Sequence, residues 1–441
     1  MPHQARARTG QVTGRVVLAY STLEPQSPGS STSMFAMMLR PMLHFALAVL
    51  FACAIPGVAP AQSPPCGGSF DAWLATFRRE ALSRGITPRT LAEAAPTMKV
   101  DAEVLRKDRG QQVFAQPFVE FASRMAEGHR VPQGKERIRK NAATFARIER
   151  DFGVPGPVIV AFWALETDFG ANMGDVPTMR ALTTLAHDCR RPELFREQLL
   201  AALRILQSGD LTLDQMRGPF AGELGQLQFL PTHYFDYAID YDGDRHRNLI
   251  RSTPDALASA ANYATKLGWR RGEPWLEEVR APANLAWDQS GLDIKHPRSK
   301  WAHWGVTRVD GGELKGDGLE ASLLLPMGRH GPAFLAYPNF HLVYLQWNQS
   351  LVYATTAAYL ATRIGGQPRM LPTGRIPSLN ADEMKELQRE LGRHGYDTGK
   401  VDGVLGIRTR LAVRDMQKKL GMPADAYPTV ELLRKLRSQA G

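Results

Sequence analysis

The chain has 441 residues, of which 44% are hydrophobic and 22% charged, with a net charge of +10 and three cysteines. That length suits two or three domains with a substantial core, and the composition excludes a wholly disordered chain. The cysteines form neither a Cys-x-x-Cys nor a zinc spacing, and no stretch beyond residues 34–61 is apolar and long enough to suggest a membrane segment.

Residues 1–33 are rich in Arg, Ser, Gly and Pro and have no apolar period. From Met34 the pattern changes. Arg40 precedes an apolar run from Leu43 to Val58, and Ala59-Pro60-Ala61 follows it. A positive start, a short apolar run and a small-residue exit predict a secretory signal ending at residue 61, with Met34 as the true start. Leu50-Phe51-Ala52-Cys53 offers a competing exit, a lipid-attachment site at Cys53. Residues 1–61 carry Arg6, Arg8, Arg15 and Arg40 against Glu24, a balance of +3, so +7 of the +10 remains afterwards. A basic exported protein is attracted to acidic polymers outside the membrane, and export argues against nucleic acid. Cys66 and Cys189 remain, and an even pair in an exported chain predicts a disulfide.

Phe70, Trp73, Leu74, Phe77 and Leu82 predict a helix that ends near Gly85. A second amphipathic helix is predicted over 138–152, with Phe145 and Ile148 on its apolar face. Pro155-Gly156-Pro157 opens an apolar helix from Val158 to Phe169, stopped by Gly170. Further helices fit Pro192–Leu206, Asp255–Gly268 and Val352–Ile364. The segment from Trp269 to Tyr344 is richer in Gly, Pro and Trp and has a β-like run at Ala321–Pro326. Pro368, Pro372, Gly374 and Pro377 mark a linker over 367–378. The expected organisation is an upstream extension and signal (1–61), a mainly α catalytic domain (62–366), the linker, and a small domain (379–441).

One carboxylate carries chemistry. Ala161-Phe-Trp-Ala-Leu-Glu166 places an acid at the end of an apolar helix. Apolar surroundings and the negative end of the helix dipole both disfavour its ionised form. A carboxyl still protonated near neutral pH can give a proton to a glycosidic oxygen. Asp168, two residues on, points off that face, so the two do not form a paired-carboxylate glycosidase site. Gly-x-Ser-x-Gly, His-Glu-x-x-His and phosphate-cradling Gly-x-x-x-x-Gly-Lys-Ser/Thr motifs are absent.

The segment Gly153–Gly170, which contains Ala-Leu-Glu166-Thr-Asp-Phe-Gly170, resembles the catalytic helix of the lytic transglycosylase B family (glycoside hydrolase family 103). Three later blocks resemble the same family in the same order: 180–195, with Arg190-Arg191; 220–231, with Gln228-Phe229; and 254–263, ending in Asn262-Tyr263. The resemblance implies a lysozyme-like α fold and cleavage of the β-1,4 bond between N-acetylmuramic acid and N-acetylglucosamine, with Glu166 as acid and then base. The muramyl C6 hydroxyl replaces water, which leaves 1,6-anhydro ends. The alternatives are a hydrolytic muramidase and a non-catalytic wall-binding protein.

The same resemblance implies that Arg190 and Arg191 line the glycan groove and that the Gln228 amide, beside Phe229, binds an N-acetyl group or orients Glu166. It places Tyr263 near the acid, and Trp347-Asn348 where the family has Tyr-Asn. Leu227 and Glu223 depart from it, the latter standing where the family has a small residue. Asp240, Asp242, Asp244 and His246 resemble the start of a calcium loop, with Asp255 as a late ligand; Arg245 stands in the sixth position in place of Gly. No cofactor is required, and a structural calcium is the one metal expected. The end of the chain resembles the three-helix peptidoglycan-binding domain through Leu387-Gln388, Gly395-Tyr396, Asp402-Gly403 and Gln417. Expected partners are peptidoglycan and proteins of cell-wall synthesis or division, for a periplasmic monomer.

Overall fold

The structure, a computed structural model, describes residues 66–110 and 116–439; the signal segment and Cys53 lie outside the described residues. The helices run α1 (Phe70–Ser83), α2 (Pro88–Ala94), α3 (Ala102–Arg109), α4 (Phe118–Ala126), α5 (Arg130–Lys140), α6 (Ala142–Phe152) and α7 (Gly156–Thr167). They continue with α8 (Thr178–His187), α9 (Pro192–Ser208), α10 (Pro231–Tyr237), α11 (Thr253–Lys266), α12 (Arg298–His303), α13 (Leu345–Trp347) and α14 (Leu351–Ile364). Last come α15 (Ala381–Arg393), α16 (Ile407–Lys419) and α17 (Val430–Gln439). The strands are β1 (Val176–Pro177), β2 (Arg217–Gly218), β3 (Leu276–Arg280), β4 (His296–Pro297), β5 (Thr307–Arg308), β6 (Glu320–Leu324) and β7 (Ala333–Ala336). The mainly α class holds.

Helix α7 is the axis of the larger domain. It is apolar all round, and a helix of that kind has to be enclosed. Helices α5, α6, α11 and α14 surround it, and Val158 to Leu165 are all buried. The apolar run continues to Phe169, but the helix stops at Thr167. Asp168 and Phe169 take left-handed φ of 52° and 62° before Gly170 at 86°. Their amides fold back onto the carbonyls of Ala164 and Trp163, while the Thr167 hydroxyl donates to the Gln226 carbonyl (2.6 Å) and accepts from the Gly170 amide (2.8 Å). A tertiary hydrogen bond thus overrides the apolar pattern.

A second difference lies at Asn141. One helix was expected over 138–152, but α5 ends at Lys140 and α6 begins at Ala142. The Asn141 side-chain amide donates to the Arg137 carbonyl (2.9 Å), as its backbone N–H also does, so the side chain competes for a helix acceptor.

The segment read as rich in Gly, Pro and Trp folds as a five-stranded sheet in the order β4-β6-β7-β3-β5, every neighbouring pair antiparallel. Its own core holds Trp301, Leu323, Leu335 and Tyr337. Of these strands only β6 was legible beforehand.

Helices α15 to α17 close around Leu387, Leu391, Val413, Met416, Leu432 and Leu436. Asn380 and Glu383 form a reciprocal cap at the start of α15. This small domain is docked on the larger one. Arg410 is half-buried and donates to the carbonyls of Leu325 (3.1 Å) and Pro326 (2.6 Å), and Arg414 pairs with Asp293 at 2.6 Å. Gly328, at φ 71°, lies against Tyr427; a Cβ there would come within 2.7 Å of the Tyr427 Cβ.

Candidate active site

Glu166 is the last carboxylate before the left-handed end of α7, and half-buried. Its Oε1 accepts the Trp347 indole N–H at 3.0 Å and the Tyr353 hydroxyl at 2.5 Å. No described residue hydrogen-bonds Oε2. Burial pushes the Glu166 carboxyl up to about 7; the two hydrogen bonds pull the other way, and the charge of Glu223 adds to the rise. The group is therefore half protonated near neutral pH, with one oxygen fixed. That is the state a proton donor that later accepts a proton requires.

Trp347 is only 8% exposed. Its ring stacks on Phe162 at 4.1 Å, meets the edge of Phe229 at 5.7 Å and lies 5.4 Å from Tyr263. The indole thus serves the acid through its N–H and packs into the wall. Tyr263 stacks on Tyr237 and His233, each at 4.8 Å between centroids. Phe229, Tyr263 and Trp347 are therefore brought together beside Glu166.

Other residues singled out in the sequence take supporting positions. The Gln228 amide donates to the carbonyls of Gly225 (2.8 Å) and Met173 (3.4 Å), and its backbone is left-handed at φ 51°. It shapes its own turn, and its hydrogen bonds do not reach Glu166. Asn348 accepts the Ser350 amide (2.9 Å) just ahead of α14. Arg190 and Arg191 both grip Asp108 at the end of α3, at 2.7 Å and 2.5 Å; Asp108 is 1% exposed and Arg191 9% on their side chains, whereas Arg190 stays 45% exposed. Just before them in the chain is a covalent pin: Cys66 and Cys189 form a disulfide with Cα atoms 5.0 Å apart, fixing the loop before α9. Asp168 turns to His129 (3.2 Å) and Arg130 (3.4 Å), away from the acid as expected.

Two residues escaped the sequence reading. Tyr353 repeats at the apolar spacing of α14 and reads as core. Glu223 was noted only as a departure in a loop, and no second carboxyl was expected near the acid. It is 1% exposed, and neither side-chain oxygen has a hydrogen-bond partner among the described residues. Burial pushes it too up to about 7, with the Arg191 charge opposing.

The loop after α10 gathers Asp240, Asp242 and Asp244, with one oxygen from each lying within 4.8 Å of the others. Arg245, in the position where calcium loops favour Gly, adopts φ 74°, so the required turn is made without Gly. His246 and Asp255 stand outside this group. Asp255 is fully buried, and its two oxygens accept the amides of Tyr241, Asp242 and Asn248. It ties the loop to α11 and does not face the cluster as a ligand.

Comparison with known proteins accords with this geometry. The family model described as the transglycosylase SLT domain matches residues 69–362, and that of a peptidoglycan binding domain matches 380–436. Escherichia coli membrane-bound lytic murein transglycosylase B is 33% identical over 205 residues, 46% of this chain; the match spans only 55% of that protein's length. The solved structure of SltB3 from Pseudomonas aeruginosa in complex with NAG-anhNAM-pentapeptide is 41% identical, with a TM-score of 0.78 over 84% of this chain and 100% of that one. The Escherichia coli lytic transglycosylase Slt35 in complex with calcium is 27% identical, with a TM-score of 0.57 over 70% of this chain and 98% of that one. With its SLT domain filling most of the described residues and a peptidoglycan-binding domain behind it, the chain belongs to the lytic transglycosylase family.

Proposed function

We propose that the protein is a peptidoglycan lytic transglycosylase that cuts the β-1,4 bond between N-acetylmuramic acid and N-acetylglucosamine. The observation that carries the reading is Glu166, a carboxyl pushed up to about 7 with Oε1 clamped by Trp347 and Tyr353. Glu166 gives its proton to the glycosidic oxygen as the C1–O bond breaks. The muramyl C6 hydroxyl then bonds to C1 and passes its proton to the Glu166 carboxylate. Acid and base are one residue, restored at the end, and the nucleophile belongs to the substrate. Arg190, with its exposed guanidinium, is the cation best placed to meet the carboxylates of the polymer.

Mass spectrometry of muropeptides released from purified sacculi tests this. The expected products are 1,6-anhydromuropeptides, one water lighter than hydrolytic ones. Reducing muramic acid ends would instead make the protein a muramidase.

The carboxylates of Asp240, Asp242 and Asp244 suit a hard cation, and we assign them to a structural calcium; a relative was solved with that ion. Calcium added to metal-stripped protein is expected to raise Tm and to give a binding isotherm that Asp242→Asn weakens at least about tenfold. No heat and no change in Tm would remove the ion from the account. The disulfide supports an oxidising compartment and so the periplasm, reached through the signal at 34–61. Among the described residues no helix is long and apolar enough to cross a membrane. A monomeric state and partners in wall synthesis or division complete the proposal; processing at Cys53 in place of residue 61 would instead leave a lipid anchor.

A further inference from the structure

Glu223 is a buried carboxyl that the mechanism above does not use. The turn that carries it is built against the end of α7. Leu224 and Phe229 exchange backbone hydrogen bonds at 2.8 Å and 2.9 Å, and the Gln226 carbonyl within that turn receives the Thr167 hydroxyl at 2.6 Å, one residue beyond Glu166. Backbone-on-backbone contact holds the turn's other side: a Cβ on Gly218 would fall 1.9 Å from the Glu223 carbonyl oxygen, and one on Gly174 would fall 2.3 Å from the Gly218 carbonyl carbon. Helix α8 closes it through Leu182, against Gly222. Within this packing Glu223 is 1% exposed.

We propose that Glu223 is a positioning residue for the acid, its negative charge holding the proton on Glu166 through the first half-reaction and strengthening the Glu166 carboxylate as a base in the second. The inference rests on the transglycosylase reading. Two carboxyls whose charges act on each other, as these do, resist ionising together. Glu223 has the Arg191 cation, from the start of α9, acting on it. Glu166 is faced by neutral donors, Tyr353 from α14 and Trp347 from α13, and by Glu223 itself. Arg191 therefore favours the negative charge on Glu223, and with it the proton on Glu166. When Glu166 has protonated the leaving oxygen, the pocket holds two charges. That repulsion is relieved by taking the C6 hydroxyl proton.

The test is the pH profile of kcat/KM for muropeptide release by the whole protein. Loss of the Glu166 proton sets the alkaline limb, and Glu223 raises the pH at which it is lost. Glu223→Gln is expected to move that limb down by roughly half a pH unit or more, and Tyr353→Phe, which removes a hydrogen bond favouring the carboxylate, to move it up. A uniformly slower Glu223→Gln enzyme with an unmoved limb would make Glu223 merely structural and overturn the proposal. Glu223→Ala repeats the measurement should the buried amide prevent folding. Carboxyl 13C NMR titration of the wild type needs no variant: Glu166 and Glu223 must each show two coupled steps, and a single independent step for Glu166 would sink the idea. Failure of the transglycosylase reading shows separately, as reducing ends among the products.

Discussion

Glu166→Gln is expected to lower muropeptide release by at least about 10²- to 10⁴-fold while the protein still sediments with sacculi. The amide keeps the length of the carboxyl, and its oxygen can still accept from Trp347 and Tyr353. What it loses is the proton for the leaving oxygen and the base for the C6 hydroxyl. The amide matches the neutral carboxyl in size and charge, so the variant is expected to fold. Wall binding is expected of the small domain, where residues 380–436 match the peptidoglycan binding family model. Lysis at the wild-type rate would place the acid elsewhere, and wild-type lysis of no substrate at all, with binding retained, would leave a wall-binding protein without activity.

Asp108→Ala is the second large effect. Asp108 is 1% exposed and holds two arginines, Arg191 at 2.5 Å and Arg190 at 2.7 Å. Removing the shared anion leaves the buried Arg191 guanidinium without its carboxylate, which costs about 3–5 kcal/mol. Denaturant unfolding of the catalytic domain should show the loss as a lower midpoint at an unchanged slope. The loop before α9 would also lose its anchor to α3 and keep only the disulfide, so KM for sacculi should rise more than kcat falls. An unfolding midpoint within error of the wild type would mean that the cluster is solvated, and the groove assignment of the arginines would fall with it.

Much of the site was readable because Glu166 breaks a run of apolar residues, and a charge in that setting is conspicuous. Tyr353 was not readable for the opposite reason: it sits among residues of α14 that are also buried, and only the fold shows that its hydroxyl ends at Glu166. Glu223 looked like a loop residue because its local sequence is rich in Gly. Its burial comes from the crossing of Gly174 and Gly218 and from α8, none of which leaves a local pattern. The sheet was missed for a simpler reason. Strands β4 and β5 have two residues each, too few to show alternation, and β7 is buried at every position, so it alternates nothing. Helices survived better because three or four turns repeat a signal; even so, Asn141 and Thr167 ended them through hydrogen bonds that apolar spacing does not encode.

The linker over 367–378 reads as a flexible tether, and a tether acts by chain statistics, averaging over every separation its coil can reach. The docking of Arg410, Arg414 and Tyr427 on the larger domain replaces that average with a single value. Every molecule holds its small domain at the same displacement from Glu166. On a substrate that is itself a repeating lattice, such a protein behaves as a pair of callipers with a locked hinge, and the span it measures is a property of the fold.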